Sequence, residues 1–344
     1  MREEPDRVPL CEASVDYAIQ SQLLGREVAA RDLEAQVEFW LKAGYDYVPL
    51  VVGMMAPGKV TRDSAISKVI EEDVLEGAAA AEDDATWNLE YSSFIEDRRD
   101  FESFPWERAA RVDLGDFHAV RKMLPEGMEV IALSGKIFTL AWMMMGFGNF
   151  GVSLLTDEGL VAEVIGTIAE IQLGALDEVL EMPHVGAVWA VDDIAFGSGT
   201  MISPGALREH VFPRYRELAA RCHQAGKLFF LHSDGDLLPV MEDLIELGVD
   251  ALHPIDPTAM DIAQVKQSYG DRLCLIGNVS TELLRSGTPM QVEAAVKELL
   301  RSVAPGGGYC LGSGNSIPDW VSVENYRAML DAATRHGSYP IACD

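Results

Sequence analysis

The amino-acid sequence predicts an α/β fold, a (β/α)8 barrel over residues 45–344 preceded by an N-terminal helical extension over residues 1–44. Eight short apolar runs with strand character alternate with segments of helical periodicity, the pattern of parallel strands joined by crossover helices. In residues 226–256 (GKLFFLHSDGDLLPVMEDLIELGVDALHPID) two such runs flank one helical segment, and each ends in a histidine followed by acids. Chemistry in parallel α/β folds gathers at the C-terminal strand ends, so these histidines mark the expected site face.

Taken in order, residues 13–43 read as one or two amphipathic helices, with Val15, Ile19, Leu23 and Leu24, then Leu33, Val37, Phe39, Trp40 and Leu41 on the apolar side. Residues 45–53 form the first expected strand, a helix starts near Thr61, and residues 71–84 are an acidic, alanine-rich solvated stretch. Residues 87–93 are the second expected strand, 94–127 are mixed and helix-like, and 128–135 are the third strand. Residues 156–182 form a long helix with Thr156 as the expected N-cap. The fourth strand, 186–193, ends in Asp192-Asp193, and Ser203-Pro204 opens a helix running to Gly226. The fifth and sixth strands end at His232 and His253. Residues 272–277 are the seventh strand and 309–312 the eighth, with helices over 261–269, 288–303 and 323–336.

Composition narrows the function. The 344 residues are 48% hydrophobic, enough for a large core. A net charge of −28 without a basic stripe argues against nucleic acid. Five dispersed cysteines, Cys11, Cys222, Cys274, Cys310 and Cys343, form no CxxC pair, which favours a reducing compartment. The N-terminal MREEPDRVPL has no signal-peptide pattern, and a cytoplasmic location is expected. Residues 137–156 carry no charge, but their glycines and the absence of a second such stretch make a buried helix and loop the expectation rather than a membrane span. Gly146, Gly148 and Gly151 fit GxGxxG, yet a helical pattern rather than a strand precedes them, so a dinucleotide loop is not expected. Trp142 and Met143–Met145 read as core, with a wall for a flat ligand as the other reading.

The chemistry-bearing residues cluster at strand ends. His232 with Asp234 and Asp236 suits metal ligation or acid–base work. Asp192 and Asp193 cannot both point inward, because side chains alternate along a strand. The one facing other acids would have a raised pKa and could donate a proton; helix capping or a surface pair is the alternative. His253 and Asp256 follow the sixth strand; Asn278, Ser313, Asn315 and Ser316 would line the same mouth with neutral hydrogen-bonding groups. His118, His184, His210, His223 and His336 fall on helices or turns and read as structural.

The stretches VDDIAFGSGTMISPGALREHVFPRYRELAARCHQAGK, FLHSDGDLLPVMEDLIELGVDALHPID, YGDRLCLIGNVSTELLRSGTP and GGGYCLGSGNSIPDWVSVENYRAML carry a resemblance. Over about residues 185–335 the chain resembles the uroporphyrinogen decarboxylase-like superfamily, and the resemblance implies a (β/α)8 barrel with its site at the C-terminal mouth. True decarboxylases of this superfamily have an early arginine- and glycine-rich segment and a GHG near the eighth strand; here no such segment is found and Gly312-Ser313-Gly314 stands at the GHG position. Thiol-activating methyltransferases carry a zinc set of HxC plus a later cysteine, where this chain has His232, Asp234 and Asn315. Oxygen ligands in place of thiolates favour a harder ion than zinc, or none. The closer resemblance is to the corrinoid-dependent methyltransferases of O-demethylation systems. It implies transfer of a methyl group from a small O-methyl or N-methyl donor to cobalamin on a partner corrinoid protein, with a homodimer left open. In that frame Asp192 or Asp193 is the acid, His232 and Asp234 are an orienting pair or metal ligands, and His253, Asn278, Ser313 and Asn315 bind substrate. A tetrapyrrole decarboxylase and a non-catalytic corrinoid- or tetrapyrrole-binding module are the alternatives.

Overall fold

Seven of the strands in the computed structural model, which describes residues 3–29, 32–53 and 94–342, form one parallel sheet. The strands are β1 (Tyr47–Val51), β2 (Glu129–Ser134), β3 (Val185–Val191), β4 (Leu228–His232), β5 (Ala251–His253), β6 (Cys274–Val279) and β7 (Tyr309–Ser313). They lie in chain order, each hydrogen-bonded to the next, in a curled sheet with helices between them. This is a TIM-barrel-like α/β fold with N-terminal helices. The expected helix start at Thr61, the acidic stretch 71–84 and the expected strand 87–93 lie outside the described residues. β1 pairs directly with β2, so no strand stands between the first and third expected strands.

The N-terminal segment brings the two sheet edges together. Leu10 pairs in parallel with Leu311 of β7, through Cys11 N–H to the Leu311 carbonyl (2.9 Å) and Leu311 N–H to the Pro9 carbonyl (2.8 Å). On its other side, the Tyr47 hydroxyl of β1 accepts from Glu12 N–H (2.7 Å) and donates to the Glu12 carbonyl (2.6 Å). This close approach requires glycine at 312, because a Cβ there would sit 2.0 Å from the Cys11 carbonyl oxygen.

Helix ends follow local chemistry. The 23-residue helix Glu158–Leu180 is capped by Asp157, whose side chain accepts from Leu160 N–H, rather than by the expected Thr156, which ends the preceding helix. Ser203 and Pro204 open their helix as expected, but a π-helical turn, Leu207–Val211, interrupts it before Phe212–Gln224. Thr288 and Gln291 form a reciprocal capping box with Pro289 at the first helical position. The uncharged stretch 137–156 is two helices, Phe138–Met145 and Phe147–Thr156, bent by 97°, and every residue of the first is buried. Trp142 and Met143–Met145 are therefore core, and Gly148 and Gly151 lie within a helix rather than a phosphate loop. Among the described residues one helix, Glu158–Leu180, is long and apolar enough to cross a membrane; 61% of its most apolar window is buried within this fold.

Candidate active site

Alternation along the strands decides what meets at the mouth. Register places Trp189 of β3 beside Phe230 of β4, and His232 beside His253 of β5. The Trp189 ring stands edge-on to His253 with centroids 5.1 Å apart, so these side chains share the barrel interior.

Asp192 and Asp193 diverge. Asp192 is fully buried and turned outward, where one carboxylate oxygen accepts from Ile137 N–H (2.8 Å), Phe138 N–H (2.8 Å) and the Tyr215 hydroxyl (2.7 Å). Its other oxygen accepts from Thr139 N–H at 2.7 Å. Burial pushes this carboxyl up, and these donors oppose the shift. Asp192 thus caps the helix Phe138–Met145 and anchors it to β3. Asp193 faces the mouth, with one oxygen accepting from Asp234 N–H (3.0 Å) and lying 3.6 Å from His232 Nε2.

The two histidines form a buried pair, with His232 Nδ1 and His253 Nδ1 2.7 Å apart. Burial lowers the pKa of both, most strongly His253, whose ring also faces His232; Asp193 partly opposes the shift at His232. Two neutral rings joined through Nδ1 share one proton in that bond. His253 Nε2 is buried with no hydrogen-bond partner, so either ring can carry the shared proton. His232 Nε2 faces Asp193 (3.6 Å) and Asp234 (3.9 Å).

Asp234 is the most perturbed acid at this opening. Burial, then Asp193 and Asp256, push its carboxyl up to about 7, opposed by Asn315 and Lys136. One oxygen accepts from Asn315 Nδ2 at 2.5 Å; the other is buried with no hydrogen-bond partner and is the one nearest His232. Gly235 follows with φ +90°, where a Cβ would lie 2.5 Å from the Phe196 carbonyl. That packing seats a short hairpin, Ala195–Phe196 and Gly199–Thr200, over the Asp234 turn. Asp256 accepts from Gly235 N–H at 3.1 Å.

Single ligand atoms of Asp193, His232 and Asp234 lie within 4.8 Å of one another, a set able to hold a divalent cation. Asp193 thus completes the trio, whereas Asn315 donates to Asp234. Asn278 lies beside Gly312 near the strand ends and is buried. Ser313 is turned the other way, with its hydroxyl on Glu12 at 2.7 Å. The five remaining histidines sit away from this centre with partners of their own: His118 with Glu178, His184 with the Phe117 carbonyl, His210 with Glu158, His223 with Asp250 and His336 with Glu293.

Two contributors escape the sequence reading. Lys136, just past Gly135 at the end of β2, acts on both His232 and Asp234; its place near a strand end was the available signal. Glu12 belongs to a segment with no strand periodicity, and nothing in the sequence marks it.

A family described as uroporphyrinogen decarboxylase (URO-D) matches residues 114–336. Uroporphyrinogen decarboxylase of Thioalkalivibrio sulfidiphilus is 26% identical over 231 residues, covering 63% of this chain and 62% of that protein. The Coxiella burnetii protein of the same name is 28% identical over 228 residues, covering 63% and 61%. The matches thus span about three-fifths of the length of these relatives. Among solved structures, a methyltransferase from Methanosarcina mazei aligns with a TM-score of 0.67 at 18% identity, covering 97% of this chain and 95% of that one. At that identity the likeness is one of fold.

Proposed function

Because this chain belongs to the uroporphyrinogen decarboxylase (URO-D) family, we propose within that family that it is a corrinoid-dependent methyltransferase component, moving a methyl group from a small O-methyl or N-methyl donor to a partner corrinoid protein. The observation that carries this reading is the make-up of the mouth: Asp193, Asp234 and Asp256 around the Nε2 atom of His232, with Lys136 as a basic group acting on the centre. Such a centre repels a substrate bearing many carboxylates and suits a reaction that needs a proton or cation at a departing heteroatom.

Breaking the donor's methyl–oxygen bond leaves the electron pair on oxygen, and a proton delivered there neutralises the charge. Asp234, near neutrality by its surroundings, holds that proton. Asp193 lies beside it, and His232, fixed by His253, orients both. A corrinoid on the partner supplies the nucleophile when docked; the exposed rings of Phe147 and Phe196, with centroids 6.2 Å apart beside the Asp234 turn, support a flat group at this rim. The same trio fits a divalent cation in place of the proton, held by His232 Nε2 and the two carboxylates, which would polarise the departing oxygen.

The test is methyl transfer to cob(I)alamin from a panel of methoxylated and N-methylated compounds. Methylcobalamin formation from at least one donor is expected, and none from any would overturn the reading. The names of the curated relatives favour a tetrapyrrole decarboxylase as the second reading. Loss of carboxylates from uroporphyrinogen would establish it instead.

A further inference from the structure

Glu12 is fully buried in the N-terminal segment that pairs with β7. Its two carboxyl oxygens accept from Ser313 N–H (2.6 Å) and the Ser313 hydroxyl (2.7 Å). Around it stand the hydroxyls of Tyr45, Tyr47 and Tyr326 and the thiol of Cys11, none of which carries positive charge. A carboxyl this deep is costly unless each oxygen is bonded, so its hold on Ser313 is firm.

Ser313 ends β7 and roots the loop that crosses the mouth. Its hydroxyl, committed as a donor to Glu12, accepts from Asn315 N–H at 3.5 Å, a long contact. The next backbone amide, Gly314 N–H, bonds the Val279 carbonyl at 2.8 Å and ties the loop to β6. Asn315 Nδ2 then reaches Asp234 at 2.5 Å. We propose that Glu12 is a positioning residue for the candidate centre: by gripping both polar hydrogens of Ser313, it fixes Asn315 against Asp234.

The catalytic consequence rests on the methyl-transfer reading, but the test does not. Solvent exchange of the Asn315 side-chain amide is followed by NMR in the resting protein, without donor or corrinoid. Asn325, whose side-chain amide donates to the carbonyls of Leu284 (3.1 Å) and Gly287 (2.8 Å), serves as the internal control. A glutamine at 12 keeps one acceptor and turns an amide donor toward Ser313. Glu12→Gln is therefore expected to speed exchange at Asn315 about tenfold, the scale of losing one hydrogen bond, and to leave Asn325 unchanged. Glu12→Asp is expected to restore part of the protection. If Glu12→Gln fails to fold, Ser313→Ala decides by the same readout. Unchanged Asn315 exchange in a folded variant, or equal acceleration at Asn325, would overturn the proposal and leave Glu12 a structural anchor of the N-terminal segment.

Discussion

Asp192 and Asp193 are adjacent in sequence and different in environment. Asp192 meets four donors on the helix side of the sheet, so its removal leaves three backbone N–H groups and a tyrosine hydroxyl without an acceptor. Asp192→Ala is expected to lower unfolding free energy by about 3 kcal/mol or more, measured by denaturant titration. Asp193→Ala, half exposed, is expected to cost well under half of that. Equal losses would contradict the assignment of Asp192 as a cap. Asp234 carries the opposite signature, a carboxyl raised to about 7 by burial and by Asp193 and Asp256. A proton donor works in its protonated form, so kcat/KM is expected to be level below pH 7 and to fall as pH rises through about 7. Asp234→Asn is expected to lower it on the order of 10²–10⁴-fold and to remove that limb. A profile that instead rises through neutrality would assign Asp234 a role as carboxylate, as ligation of a cation demands.

At the scale of elements, what the chain displays locally was legible and what it assembles from afar was not. Strand ends at His232 and His253 show as apolar runs that stop at polar residues, and alternation alone separates Asp192 from Asp193. The N-terminal residues 8–12 offer no such pattern, since Pro9 interrupts a short apolar run and pairing with β7 bridges about three hundred positions. Glu12 was therefore unreadable, and so was the Nδ1–Nδ1 bond of the histidine pair, which register and rotamer fix together. Asn315 was placed at the right opening, but its partner Asp234 depends on a loop conformation. The cap of the helix Glu158–Leu180 was misplaced by one residue because threonine and aspartate, both good caps, stand side by side. The N-terminal segment makes its own prediction. Gly312→Ala puts a methyl against the Cys11 carbonyl, so the segment must shift, at about 1–3 kcal/mol. Hydrogen exchange at the Cys11 and Leu311 amides is expected to rise, and unchanged protection there would count against tight docking of this segment.

Across the whole molecule, a parallel curled sheet sends every strand's C-terminal end to one side, which is why groups from β3, β4, β5 and the loop after β7 converge. The net charge of −28 and the acids at the opening bear on substrate together: a polycarboxylate would approach a negative protein to reach a negative centre. A small, weakly charged methyl donor meets no such barrier. The most direct measurement offers the purified protein cob(I)alamin with methoxylated and N-methylated donors in one reaction and uroporphyrinogen in another, and follows methylcobalamin and carbon dioxide. Methylcobalamin that forms with the intact protein and falls on the order of a hundredfold with Asp234→Asn, with no carbon dioxide released, is the predicted result. Carbon dioxide release without methylcobalamin from any donor would contradict it.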